Sequence, residues 1–172
     1  MSDDLAELRD TVAQLSRQVR ALEDQIAIGR LVARYGPAVD SGSAAATAAL
    51  WSEDGRFDVP PYAVWTGHDE IAGMVDGDGH QALITNGVAH VLTAPLIVVD
   101  GDDAQAWNYA LNLRWDPELR RFWIARASAN GWRLHREPGG WRIAHRVNRN
   151  LDGSPEPRAI FREGTQVITQ AD

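Results

Sequence analysis

The chain has no cysteine and no lysine. Without cysteine it can hold neither a disulfide framework nor a thiolate metal site. Without lysine, all 17 basic side chains are arginine beside abundant alanine and glycine, which reads as the compositional bias of a GC-rich bacterial genome. Positive charge is in the minority: the net charge is −7 and the pI about 5.2, which argues against nucleic acid or an anionic membrane as partner. Nine arginines do lie between Arg114 and Arg149 with tryptophans among them, but strand alternation spreads them over both faces. No apolar run is long enough to cross a bilayer, and the opening Met1-Ser2-Asp3-Asp4 has no apolar core of a signal peptide. The expectation is a soluble, cytoplasmic protein. The five histidines form no His-Glu-x-x-His pair. The Asp76–Gly79 stretch lacks the EF-hand spacing, and the lysine and helix of a phosphate loop, so it reads as a solvated loop. No metal and no other cofactor is expected.

What is present suits one domain with appendages: 172 residues, 44% of them hydrophobic, can bury a sizeable core. Leu5, Leu8, Val12, Leu15, Val19, Leu22 and Ile26 recur at alternating spacings of three and four, a strict heptad. Positions flanking it (Arg9, Thr11, Ser16, Gln18, Glu23, Gln25) carry little charge pattern, so partner number stays open between a dimer and a trimer. The organisation expected is a helical oligomerisation arm over 1–27, a domain over 28–150, and a linker and tail over 151–172.

Ile28, Leu31, Val32, Tyr35 and Val39 form the apolar face of a second helical stretch, with Ala33, Gly36 and Asp40 on a neighbouring stripe. Those small side chains predict open space beside Asp40, with a kink at Gly36-Pro37. Beyond it the pattern predicts an alanine-rich helix capped by Ser43, a turn over 52–55, and a short strand at Arg56–Val59 paired with Ala63–Thr66. A helix over 67–75 follows. Then come segments over 88–99, 104–115, 122–136 and 141–149, each ended by turn chemistry such as Asp100-Gly101 or Pro138-Gly139-Gly140. Helices first and an antiparallel meander second is an α+β architecture.

Along 104–115 one face reads Ala, Ala, Asn108, Ala, Asn112, Arg114 and the other Gln105, Trp107, Tyr109, Leu111, Leu113, Trp115. Such a pair of faces argues that both are covered. The reading preferred here turns Asn108 and Asn112 into a cavity and the aromatic face onto another subunit. The rival packs the aromatics on the helices and leaves both asparagines in solvent. His90 differs from His68, His80 and His135, for which surface positions are the default, because it shares a face with Val88 and Leu92. A core histidine is the simpler reading of it; a base is the other. Arg126, Ser128 and Asn130 share one strand face.

Tyr35 with Asp40, Leu50-Trp51-Ser52-Glu53-Asp54-Gly55, His90-Val91-Leu92-Thr93-Ala94-Pro95-Leu96-Ile97, Asp100-Gly101-Asp102 and Gly139-Gly140-Trp141-Arg142-Ile143-Ala144-His145-Arg146 together resemble the SnoaL-like group, over about residues 24–150. These are cone-shaped α+β domains of the nuclear-transport-factor/ketosteroid-isomerase superfamily. The resemblance implies a strongly bent, mostly antiparallel sheet wrapped on N-terminal helices. The spacing from Tyr35 to Asp40 and from His90 to Pro95 is similar to bile-acid 7α-dehydratase, which implies catalytic roles for Tyr35 and His90. That enzyme's catalytic Asp falls at Asn112 here, and its Arg near Arg149 or Asn150. Ser128-Ala129-Asn130 is similar to scytalone dehydratase, where Ser and Asn hold substrate oxygens; its two catalytic Tyr fall at Val39 and near Val59.

The function expected is a cofactor-independent lyase (a dehydratase) or isomerase acting on a hydroxylated polycyclic, steroid-like or polyketide-like small molecule. Its catalytic group is His90, Asp40 and Tyr35. Trp51, Tyr62, Asn108, Asn112, Arg126, Ser128 and Asn130 complete the expected lining. A neutral imidazole held by a carboxylate can move a proton near pH 7, and hydrogen-bond donors can stabilise an enolate oxygen. The competing expectation is a non-catalytic module of the same fold that binds a small molecule or a protein partner.

Overall fold

The computed structural model describes residues 2–61 and 63–171. Its first element, helix α1 (Ser2–Asp40), carries two apolar stripes. The heptad residues from Leu5 to Ile26 are half-exposed or more, Leu22 by 59%, whereas Ile28, Leu31, Val32, Tyr35 and Val39 are buried. Ile26 and Ile28 are two residues apart, roughly 200° around the helix axis at about 100° per residue. The stripe therefore changes sides between them. Asp24 secures this crossover: its carboxylate accepts bonds from Arg136 Nη2 (2.7 Å) and Trp141 Nε1 (3.1 Å). The helix does not end at Gly29 or at Gly36-Pro37; Pro37 lies inside it.

Helix α2 (Ala44–Ala48) follows Ser43, whose side chain makes no capping bond. The stretch expected as a turn over 52–55 instead belongs to strand β1 (Trp51–Val59), as a bulge where the register against its parallel neighbour shifts between Trp51 and Arg56. Strand β2 (Ala63–Thr66) leads into α3 (Gly67–Asp76) and α4 (Asp78–Thr85), so the predicted loop at 76–79 shrinks to the single junction residue Gly77. The predicted long strand over 88–99 is two strands, β3 (Val88–Leu92) and β4 (Leu96–Asp100), separated around Pro95. Long strands β5 (Asp103–Asp116), β6 (Arg121–Glu137) and β7 (Gly140–Asn150) complete the sheet. Its order is β2-β1-β7-β6-β5-β3 with β4 also on β5, antiparallel except for β1 against β7.

The core lies between the inner face of this curved sheet and the buried stripe of α1, closed by α3 through Ile71 and Val75. The segment expected as a linker and tail forms helix α5 (Pro155–Ala171). It lies on the outer face of the sheet. Phe161 packs on Tyr109 with ring centroids 4.5 Å apart, and Gly164 sits against Trp107. The aromatic face expected against another subunit is thus covered in part by this chain's own helix. Tyr109 remains half-exposed under the helix, and so do Phe122, Trp123 and Ile124 near the start of β6. Among the described residues no helix is long and apolar enough to cross a membrane.

Candidate active site

Asp40 ends α1 directly against β3, and its two carboxylate oxygens divide between two donors of one residue. Oδ2 accepts the His90 backbone N–H at 2.8 Å and Oδ1 meets His90 Nδ1 at 2.5 Å. Because a carboxylate only accepts, Nδ1 carries a proton, so in the neutral ring the lone pair is on Nε2. Both side chains are largely covered, His90 at 16% exposure and Asp40 at 24%. His80 stacks on the His90 ring, centroids 5.7 Å apart, and donates from Nε2 to the Val39 carbonyl (2.8 Å). No local pattern signals this contact: His80 reads as a loop residue from its neighbours, and only the fold of α4 brings it to Val39 at the end of α1.

Strand register builds the rest of the floor in rungs. His90 pairs with Asn112, and Asn112 with Arg126, so β3, β5 and β6 set these three side by side. A second rung joins Asn108, Asn130 and Asn148. Here the amides bond to one another. Asn148 Nδ2 donates to Asn130 Oδ1 (2.6 Å), Asn130 Nδ2 to Asn108 Oδ1 (3.1 Å), and Asn108 Nδ2 to the Thr93 carbonyl (2.8 Å). Trp132 Nε1 also donates to Asn108 Oδ1 at 2.9 Å. Arg126 reaches Asn150 Oδ1 at 2.5 Å and Asn148 Oδ1. Arg146 donates from Nε and Nη2 to Asn130 Oδ1 at 3.2 and 3.1 Å.

Arg146 is 3% exposed, its guanidinium stacked over the rings of Tyr35, Trp132 and Phe57 at 4.1, 4.3 and 4.6 Å. Burial lowers its pKa to about 10. Burial likewise pushes the Tyr35 phenol above its usual range, against the opposing charge of Arg146, so Tyr35 stays protonated at neutral pH.

A cavity of about 550 Å³ opens over this floor, within the range of small-molecule sites. Of the residues expected from sequence, Tyr35, His90, Asn112 and Arg126 line it, with Asp40 behind His90. Asn108, Ser128 and Asn130 are buried away from its wall; their strand face is as expected, but the amides are spent on one another and on Arg146. Trp51 is not brought to the cavity either, being packed on Phe57 in the core at 5.5 Å. Tyr62 lies outside the described residues. Phe57, Trp65, Leu83, Arg146 and Asn148, none of them expected from sequence, also line the cavity. Alternation along β7 puts Arg146 and Asn148 on one face, the only signal that was available. Among the described residues no three His, Asp or Glu side chains are grouped to hold a metal.

A cone of curved sheet closed by helices, with a carboxylate-held histidine over a small cavity, defines a class of α+β small-molecule domain. The chain belongs to the SnoaL-like domain family, whose model matches residues 20–147. Solved structures agree. An NTF2-like protein with a cystatin-like fold from Novosphingobium aromaticivorans is 41% identical, over 86% of this chain and 95% of that one, with a TM-score of 0.83. A function-unknown protein from Mycobacterium tuberculosis is 24% identical over 84% and 79% of the two chains, TM-score 0.69. A protein provisionally named a scytalone dehydratase, also from Novosphingobium aromaticivorans, is 21% identical over 76% and 86%, TM-score 0.64. At their identities the last two speak for the fold alone. No curated protein matches the chain.

Proposed function

We propose that this protein is a cofactor-independent lyase, a dehydratase or isomerase, that moves a proton on a hydroxylated polycyclic or polyketide-like substrate. The observation that carries the reading is the two-point grip of Asp40 on His90, at 2.8 and 2.5 Å, which leaves Nε2 as the proton acceptor at the cavity. In a dehydration, Nε2 takes the proton from the carbon next to a carbonyl, and the electron pair moves to the carbonyl oxygen as an enolate. Tyr35, protonated and lining the same cavity, donates a hydrogen bond to that oxygen. The imidazolium, balanced by Asp40, then returns its proton to the departing hydroxyl. A carbon–carbon double bond forms and water leaves. For an isomerase the same proton returns to a different carbon.

The test is a panel of hydroxylated steroid-like and aromatic polyketide-like ketones, followed by the ultraviolet absorbance of new conjugation. His90→Gln should lower turnover by roughly 10²–10⁴-fold with little change in melting temperature. Turnover that His90→Gln leaves untouched would overturn the assignment. Binding with no turnover in the wild type would make the protein a ligand-binding module of the same fold.

The assembly proposed is a homo-oligomer, a dimer or trimer, joined through the heptad stripe of α1. Support comes from its direction: it faces away from the side of the helix that enters this domain's core.

A further inference from the structure

The cavity carries positive charge with no carboxylate on its wall. Arg114, Arg126 and Arg146 all line it, and no Asp or Glu is among its described lining residues. Asp40, behind His90, is engaged by that histidine. Two of these guanidinium groups keep an unused donor out of bulk water: Arg114 Nη1 and Arg146 Nη1 are buried atoms with no hydrogen-bond partner. For Arg146 this is costly, because the residue is only 3% exposed and is surrounded by ring faces, the Asn130 amide oxygen and the Tyr35 hydroxyl, none of which is a counter-charge at neutral pH. Burying a guanidinium without a counter-charge is tolerated where a ligand supplies one. Its stacking on three rings and its two bonds to Asn130 also fix it in place, so little ordering remains to be done when an anion arrives. The remaining wall is apolar and aromatic: Phe57, Val59, Trp65, Met74 and Leu83.

We propose that the ligand of this cavity is an organic acid, an aromatic or polycyclic carboxylate whose anionic group is received by Arg114, with the buried charge of Arg146 behind the same wall, while its rings lie against Phe57 and Trp65. This rests on the cavity being the substrate site of the acid/base reading, but not on His90 acting as a base. Guanidinium–carboxylate bonds are charge-assisted and strong in a site sheltered from water. A neutral amide offers one acceptor oxygen and no counter-charge, so it forfeits the charge-assisted part of the interaction and binds more weakly. The carboxylate serves as the handle by which the substrate is oriented; the reacting hydroxyl and carbonyl belong to another part of the molecule, within reach of His90.

The experiment measures binding of 2-naphthoate and of its neutral isostere 2-naphthamide to the full chain by titration calorimetry at pH 7. Each probe is tested on the wild type, Arg114→Gln and His90→Gln. The carboxylate should bind about tenfold or more tightly than the amide. Arg114→Gln should pull that ratio toward one by weakening only the carboxylate, and His90→Gln should leave it in place. Equal affinities in the wild type, no binding of either probe, or a ratio unmoved by Arg114→Gln would each overturn the proposal. A preference abolished by His90→Gln would assign it to the histidine instead, and would overturn it too. Because His90→Gln is read here by binding, loss of the acid/base reading in the turnover assay leaves this result standing, and the converse holds as well.

Discussion

Gly36 lies against His90: a Cβ built on Gly36 would stand 2.2 Å from the His90 carbonyl oxygen. The stripe of small residues on α1, expected to leave open space beside Asp40, is where the backbone of β3 passes. Gly36 and Asp40 are one turn apart, so the contact that brings the helix down on β3 also sets the carboxylate at the His90 amide.

Glycine to alanine in a helix interior is worth about 1 kcal/mol in favour of alanine. At Gly36 the clash is with backbone, which cannot rotate aside as a side chain can. Gly36→Ala should therefore destabilise the protein by about 1–3 kcal/mol and separate Asp40 from His90. Thermal melts and ligand binding check it; a melting temperature equal to or above wild type would refute the contact.

Asp40→Asn tests the tautomer argument. An asparagine can turn its NH₂ toward Nδ1, which moves the ring proton to Nε2 and removes the base. Turnover should fall roughly 10²–10⁴-fold, as for loss of a general base, with the fold retained. Nitrogen NMR of the histidine ring would show the changed tautomer, and an unchanged Nδ1–H state would contradict the mechanism.

The arm prediction is read by light scattering. Replacing Leu15 and Leu22, both exposed on the heptad stripe, by glutamate should reduce the assembly size. Melting of the domain should shift little, because neither residue enters its core. A wild-type chain that is monomeric at micromolar concentration would rule out the arm as an oligomer contact.

Asp24 supplies a pH dependence. Its bond to Arg136 is the main cause holding its carboxyl below the ordinary carboxylate range, and burial opposes this. A depressed folded value means stabilisation that is present above the unfolded value and lost as pH falls through the folded one. Asp24→Asn should cost about 1 kcal/mol at pH 7, a charged hydrogen bond discounted for the partly exposed Arg136. The gap between the two proteins should close progressively below about pH 4, the ordinary range for aspartate. A gap constant from pH 7 to pH 3 would contradict the ion pair.

Periodicity determined much of this protein. The heptad from Leu5 to Ile26, the buried stripe from Ile28 to Val39, and the alternation along 104–115 each follow from which side chains repeat at which spacing, and a helix or strand must bury that set together. The turn chemistry after Val99, Trp115 and Arg136 placed the sheet's bends, and the motifs around Asp40 and His90 pointed to the family. Tertiary structure decided what those faces meet. Register across three strands, not any local pattern, lines up His90, Asn112 and Arg126, and a shift beyond Asn112 ends that alignment. Folding α4 back over α1 brings His80 onto His90, and docking α5 covers Trp107. Asn108 and Asn130 were on the expected face, yet Arg146, arriving from the next strand, takes up the amide oxygen that a substrate would have used. Spacing along a chain determines direction, whereas occupancy depends on groups far away in sequence whose distance only the packed fold sets.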